Sequence, residues 1–151
     1  MDGQNEGDPF KAAVRPGPPD YPRLAPAGRL VAVMKVQFTR RGLSLIRNNT
    51  RAIRRWDIHE LLITDETTAE PGGRVDRVAG LGFVELTEGG MLAEGDRVEI
   101  AGRLVGTIVG FDESHMPNHQ NIVLRGEFAN GVARGLRLGD AVRCIANPPP
   151  D

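Results

Sequence analysis

Gly95-Asp96-Arg97-Val98-Glu99-Ile100-Ala101-Gly102-Arg103-Leu104-Val105-Gly106-Thr107-Ile108-Val109-Gly110-Phe111 decides the fold. Apolar and charged residues alternate over Arg97–Ile100, Ala101-Gly102 interrupts them, and a second β-type piece runs from Leu104 to Phe111. A period of two puts alternate side chains on opposite faces, which is the signature of a strand. Outward from this stretch the same pattern recurs at Val75–Val84, Asn121–Arg125 and Ala141–Ile145. Upstream, Ile58–Ile63 reads as a strand, and so does Leu30–Phe38, where Leu30, Ala32, Met34, Val36 and Phe38 share one face. Thr64–Gly73 is polar, contains Pro71-Gly72-Gly73 and reads as a loop. Between Gly42 and Trp56 the pattern is mixed, and at most one short helix is expected, near 50–57, with Asn49 as its cap. Many short strands with so few helix candidates predict an all-β fold. A small closed or nearly closed β-barrel fits best, because closure satisfies sheet edges that would otherwise be exposed; a β-sandwich is the second choice.

An internal echo supports closure. Leu92-Ala93-Glu94-Gly95-Asp96-Arg97-Val98 and Leu136-Arg137-Leu138-Gly139-Asp140-Ala141-Val142 share L-x-x-G-D-x-V. The glycine supplies a positive φ, the aspartate can accept from nearby backbone amides, and the residues beyond begin a strand. The two copies predict equivalent corners of one barrel. Together with Gly106-Thr107-Ile108-Val109-Gly110, these motifs make residues 75–146 resemble the second, β-barrel domain of translation elongation factors. The resemblance implies a barrel. It does not carry the GTPase activity of that family, because no G-x-x-x-x-G-K-[ST] phosphate loop occurs in the chain.

The 151 residues suffice for one domain with a real core. Nine of the eleven prolines fall before Gly28 or after Asn147. Proline lacks the backbone donor that sheets use, so residues 1–28 are expected to form a disordered or extended tail, 29–146 the barrel, and 147–151 a second disordered tail; both tails should be dispensable for folding. The longest run of apolar residues, Leu30–Met34, is far short of the roughly 20 that a spanning helix needs, so no membrane association is expected. With no secretory signal and Cys144 as the lone cysteine, a cytoplasmic location and a buried structural thiol are expected.

The net charge of −1 hides an asymmetry: residues 1–55 hold 11 Lys+Arg and 4 Asp+Glu, leaving 8 and 16 for the rest. Arg40, Arg41, Arg47, Arg51, Arg54 and Arg55 form a block that could meet RNA or an acidic protein, or could pair with the acidic second half. The acidic half and the absence of an aromatic–basic motif make nucleic-acid binding the weaker reading.

Phe111-Asp112-Glu113-Ser114-His115-Met116-Pro117-Asn118-His119-Gln120-Asn121 concentrates two of the three histidines, two carboxylates and several amides between two strands. Polar loops at a barrel rim commonly carry ligand sites. His115, His119 and Asp112 are the candidate catalytic residues for acid–base chemistry. Trp56, Phe111, Met116, Asn118, Asn121 and Arg55 are candidate ligand contacts. No cofactor and no metal are expected, since H-x-x-x-H shares a face chiefly on a helix and Pro117 opposes one; should a metal be present, His59, His115 and His119 are the ligand candidates. Size and the Ala/Gly/Arg/Pro-rich, Lys-poor composition are similar to the small actinobacterial β-barrel cyclases of polyketide biosynthesis, including spirotetronate and polyether cyclases. That similarity implies a cofactor-free cyclase or isomerase that cups a small-molecule ligand, with a homodimer as a further option. A non-enzymatic module using the Arg40–Arg55 block and a His-based metal-dependent enzyme are the alternatives.

Overall fold

The structure is a computed structural model that describes residues 19–147. The described residues form twelve strands and no helix: β1 Ala27–Val33, β2 Gln37–Phe38, β3 Leu43–Ser44, β4 Thr50–Ile53, β5 Ile58–Thr64, β6 Arg74–Val75, β7 Val78–Glu88, β8 Gly90–Ala93, β9 Arg97–Ile100, β10 Arg103–Asp112, β11 Asn121–Arg125 and β12 Ala141–Ile145. Seven of them make a ring in the order β1-β12-β9-β10-β11-β5-β7, and β7 pairs back onto β1. The all-β, nearly closed architecture is therefore the one that the glycine-punctuated strand pattern predicts. Six of the seven ring pairings are antiparallel; β11 and β5 run parallel, with Asn121 opposite Glu60 and Ile122 opposite Leu61.

The expected helix near 50–57 does not form. Thr50–Ile53 instead pairs with Gly90–Ala93 as the two-stranded β4–β8 unit, because backbone pairing across the chain outweighs the weak local helix preference. The first strand also differs from the sequence reading. It is interrupted over Met34–Val36, and Gln37–Phe38 then resumes the antiparallel pairing along β7, in the same direction as β1, at Ala79 and Val78.

The echoed motif forms equivalent corners. Gly95 and Gly139 take φ of 93° and 86°, and the Asp96 and Asp140 carboxylates each accept from the amide three residues earlier, Ala93 and Arg137, at 2.9 Å. The strands that leave the two corners, β9 and β12, are neighbours in the ring.

Alternation sorts the strands into two apolar layers. Leu61, Ile63, Val98, Ile100, Ile122, Leu124 and Phe111 pack in one cluster; Leu62, Val109 and Val123 face the other way, against Leu43, Leu45, Ala69 and Val75. β5 is thus covered on both faces, which is why Leu61-Leu62-Ile63 is a continuous apolar run.

The described chain is already anchored before residue 29. β1 begins at Ala27, and Arg23, with its side chain 3% exposed, grips the fully buried Asp96 carboxylate at 2.5 and 2.7 Å while also donating to the Met91 carbonyl. A short proline-flanked segment can be extended and still packed when one of its side chains neutralises a buried charge. At the other end the Asn147 amide donates to the same carboxylate. Residues 1–18 and 148–151 of the expected tails lie outside the described residues.

Candidate functional site

Because β11 runs parallel to β5, the loop that precedes β11 is laid beside the start of β5. The loop is pinned at both ends. The Asp112 carboxylate accepts from Ser114 Oγ at 2.5 Å, the Ser114 amide at 3.3 Å and Asn121 Nδ2 at 2.8 Å. Gln120 donates its amide to His59 Nδ1 at 2.9 Å and its Nε2 to the Asp112 carbonyl at 3.0 Å, and its Oε1 accepts from Arg51 Nε at 2.6 Å. Asp112 is buried and its carboxylate holds three donors, which makes it the loop's organiser. Arg51 also reaches Glu113 at 3.0 Å, so one arginine of the basic block is neutralised by the acidic half, as charge pairing anticipates.

Within the loop the His119 amide donates to the His115 carbonyl at 3.3 Å, an i to i+4 bond that closes one isolated turn. That turn delivers what a helix would. The two imidazoles stack with centroids 5.0 Å apart and planes inclined by 26°. Pro117, joined to Met116 through a cis peptide bond, sits inside the turn without preventing it.

His119 is the buried member, with a side chain 10% exposed. Phe83 of β7 meets its ring edge-to-face at 5.1 Å, and Asn118 Nδ2 lies 2.9 Å from its Nδ1. Its Nε2 is buried, makes no hydrogen bond among the described residues and faces Glu60 Oε1 at 3.3 Å. His115 is exposed and stacks over this pair. One ligating atom from each of Glu60, His115 and His119 can be drawn such that all three lie within 4.8 Å of one another.

His59, next to Glu60 but on the opposite face of β5, does something else. Its Nδ1 is occupied as an acceptor of the Gln120 amide, so the neutral ring carries its proton on Nε2, 3.7 Å from Asp57 Oδ2. Burial pushes the His59 pKa below its ordinary value of 6.5; Asp57 opposes this, and His119, Arg51 and Arg54 add to it. His59 is thus a backbone acceptor, and the carboxylate that groups with His115 and His119 is that of Glu60.

Of the other expected ligand contacts, Asn118 touches His119 and Met116 is exposed at the tip of the loop. Asn121 donates to Asp112 while its Oδ1 is buried with no partner. Phe111 is 0% exposed and belongs to the core. Trp56, 57% exposed with φ of 75°, carries Arg55 over its ring at 4.4 Å in the turn before β5. Sequence reasoning missed Glu60 and Phe83. Strand alternation sets Glu60 opposite Leu61 and Ile63, but only the parallel β5–β11 pairing brings it to the loop, and a parallel partner leaves no local signal.

A cleft of about 470 Å³ opens at the far end of β10, between the β9–β10 hairpin and residues 127–140, lined by Arg103, Leu104, Arg134, Leu136 and Arg137 among others. It contains no histidine, and its one unusual cation, Arg134, has its guanidinium held by the Ala129 and Glu127 carbonyls. The titratable groups that converge are those of the loop and β5.

No described helix is long and apolar enough to cross a membrane. No curated protein matches the chain, and no solved structure does. Over residues 21–145, which include every strand of the ring and the whole Glu60–His115–His119 cluster, the sequence fits the model of a family of unknown function, DUF6917, and the chain belongs to that family.

Proposed function

We propose that the protein binds a small organic ligand at the rim formed by β5, β7 and the 113–120 loop, and performs proton-transfer chemistry on it of the isomerase or cyclase type. The observation that carries this reading is the buried His119 Nε2, without a hydrogen bond and facing Glu60 at 3.3 Å beneath the exposed His115. A desolvated imidazole beside a carboxylate is a poised proton acceptor and donor, and a second imidazole stacked on it meets solvent and ligand. Met116 and Phe83 offer apolar contact, and Asn118 orients His119. The ring's own apolar side chains pack against one another, so the ligand is cupped at the rim.

The alternative, an RNA- or protein-binding module of translation-factor type, draws on the arginine block. Arg51 is engaged by Glu113 and Gln120, Arg54 by Asp57, and Arg55 by Trp56, which favours the small-molecule reading.

An enolisable probe, acetylacetone, tests the proposal without knowledge of the substrate. The protein should accelerate exchange of its α-protons in D2O, followed by proton NMR, and His119→Gln should lower the acceleration about 100-fold, the usual scale of general acid–base catalysis. Equal rates for the two proteins would contradict it.

A further inference from the structure

We propose that Glu60, His115 and His119 hold a divalent first-row transition-metal ion, with zinc the best fit. The inference deepens the reading of this rim as the reactive centre and rests on it for the ion's role; the ion-binding geometry stands separately.

The donor set is the first ground. Two neutral imidazoles and one carboxylate suit zinc or ferrous iron, whereas calcium and magnesium select oxygen ligands. The cluster is not an accumulation of acids, since Glu60 is its only carboxylate.

Distance is the second. In a tetrahedral zinc site with bonds of about 2.0–2.1 Å, neighbouring ligand atoms lie about 3.3–3.4 Å apart. His119 Nε2 and Glu60 Oε1 are 3.3 Å apart, already one edge of that tetrahedron. His115 stands within 4.8 Å of both, is exposed, and hangs on a single turn, so a small side-chain rotation brings its nitrogen to the third corner.

The orphaned nitrogen is the third. His119 Nε2 is buried and makes no hydrogen bond, a costly state for a polar atom unless something takes its lone pair. Glu60 lies within ion-pair distance but does not complete a hydrogen bond to it. The outer contacts agree. Asn118 sits 2.9 Å from Nδ1, and because amide oxygen and nitrogen are near-identical in shape, the amide turned with Oδ1 toward the ring would accept from Nδ1–H and leave Nε2 free to ligate. Phe83 closes the apolar side of the ring.

Three protein ligands leave the ion an open position for a ligand oxygen or a water. In that position an ion would polarise a ligand oxygen or, alternatively, hold a hydroxide that can accept a proton, and His119 would then serve as a ligand and not as the proton acceptor. His59 takes no part, because Gln120 occupies its Nδ1.

The test uses the full chain, stripped with chelator and titrated with Co²⁺ and Zn²⁺ alone. Calorimetry should give one ion per chain with submicromolar affinity for zinc. Cobalt should show the intense visible bands of a tetrahedral site, and zinc, but not Mg²⁺, should displace it. Glu60→Gln, which preserves shape, and His119→Ala should each weaken binding at least about 100-fold. His115→Ala should weaken it less, and His59→Gln should leave it unchanged. Circular dichroism checks that each variant folds; Glu60→Gln decides if His119→Ala does not. No saturable binding, or binding unaffected by Glu60→Gln, or equal loss in His59→Gln, would overturn the proposal. Acetylacetone exchange by the stripped and the zinc-loaded protein separates the two readings. Exchange by the stripped protein without ion binding leaves proton transfer standing and removes the metal, whereas ion binding with no exchange in either form does the reverse.

Discussion

Adjacent residues of one strand, His59 and Glu60, are given opposite work by the period of two. His59 falls on the Leu61 side and serves as an acceptor, and Glu60 faces His119. The burial that disfavours the charged His59 also fixes a pH dependence. Its folded pKa lies below the ordinary 6.5, so the unfolded chain takes up the proton first. The stabilisation is complete above the ordinary value and is lost as the pH falls through it. Urea midpoints measured between about pH 7 and about pH 5 should therefore drop more steeply for the wild type than for His59→Gln, whose amide can still accept from Gln120. Parallel slopes would contradict this role of His59. Cys144 is the other residue whose environment sets its chemistry. Burial, helped by Asp96 and opposed by Arg23, pushes its thiol up to about 12. It should stay unreactive toward a disulfide reagent in the native protein and react on unfolding, as expected of a structural thiol.

At the scale of elements, the local signals were legible and the long-range ones were not. β9, β11 and β12 end where the alternation and glycines place them, and the paired L-x-x-G-D-x-V corners are equivalent in φ and in aspartate capping. The histidine-rich loop stood out because its composition is local. Glu60 did not, because its partnership with that loop depends on the parallel register of β5 and β11. Thr50–Ile53 was ambiguous for the same reason: its partner, Gly90–Ala93, is remote in sequence. Pro117 opposes a helix under H-x-x-x-H, yet a single closed turn supplies the spacing without one. Asp112, expected as a catalytic residue, has its carboxylate occupied in holding the loop. Asp112→Ala leaves the buried Asn121 Nδ2 without its acceptor, while the exposed Ser114 can turn to water, and should cost about 1–3 kcal/mol in urea unfolding. A stability equal to wild type would show that the loop holds itself.

Across the whole molecule, one buried ion pair fastens the ends of the described chain to the ring. Arg23 and Asp96 are both buried, and Asp96 also receives the amides of Ala93 and Asn147, so one carboxylate ties the N-terminal segment, a corner and the last described residue together. Removing one partner of such a pair leaves a buried charge uncompensated. Arg23→Ala should lower stability by about 3–5 kcal/mol, and deletion of residues 1–28 should do at least as much, contrary to the expectation from proline content. Unchanged thermal unfolding in either protein would contradict the packing of this segment.

The seven-stranded ring supplies a rigid frame on which β5, β7 and one pinned loop converge. On the proposed reading Glu60 and His119 act there as one unit. Acetylacetone exchange measured for Glu60→Gln, His119→Gln and the double variant decides this. Residues of one unit are non-additive, so each single variant should lose about 100-fold and the double no more than either. Losses that multiply in the double variant, or no loss at all, would contradict it.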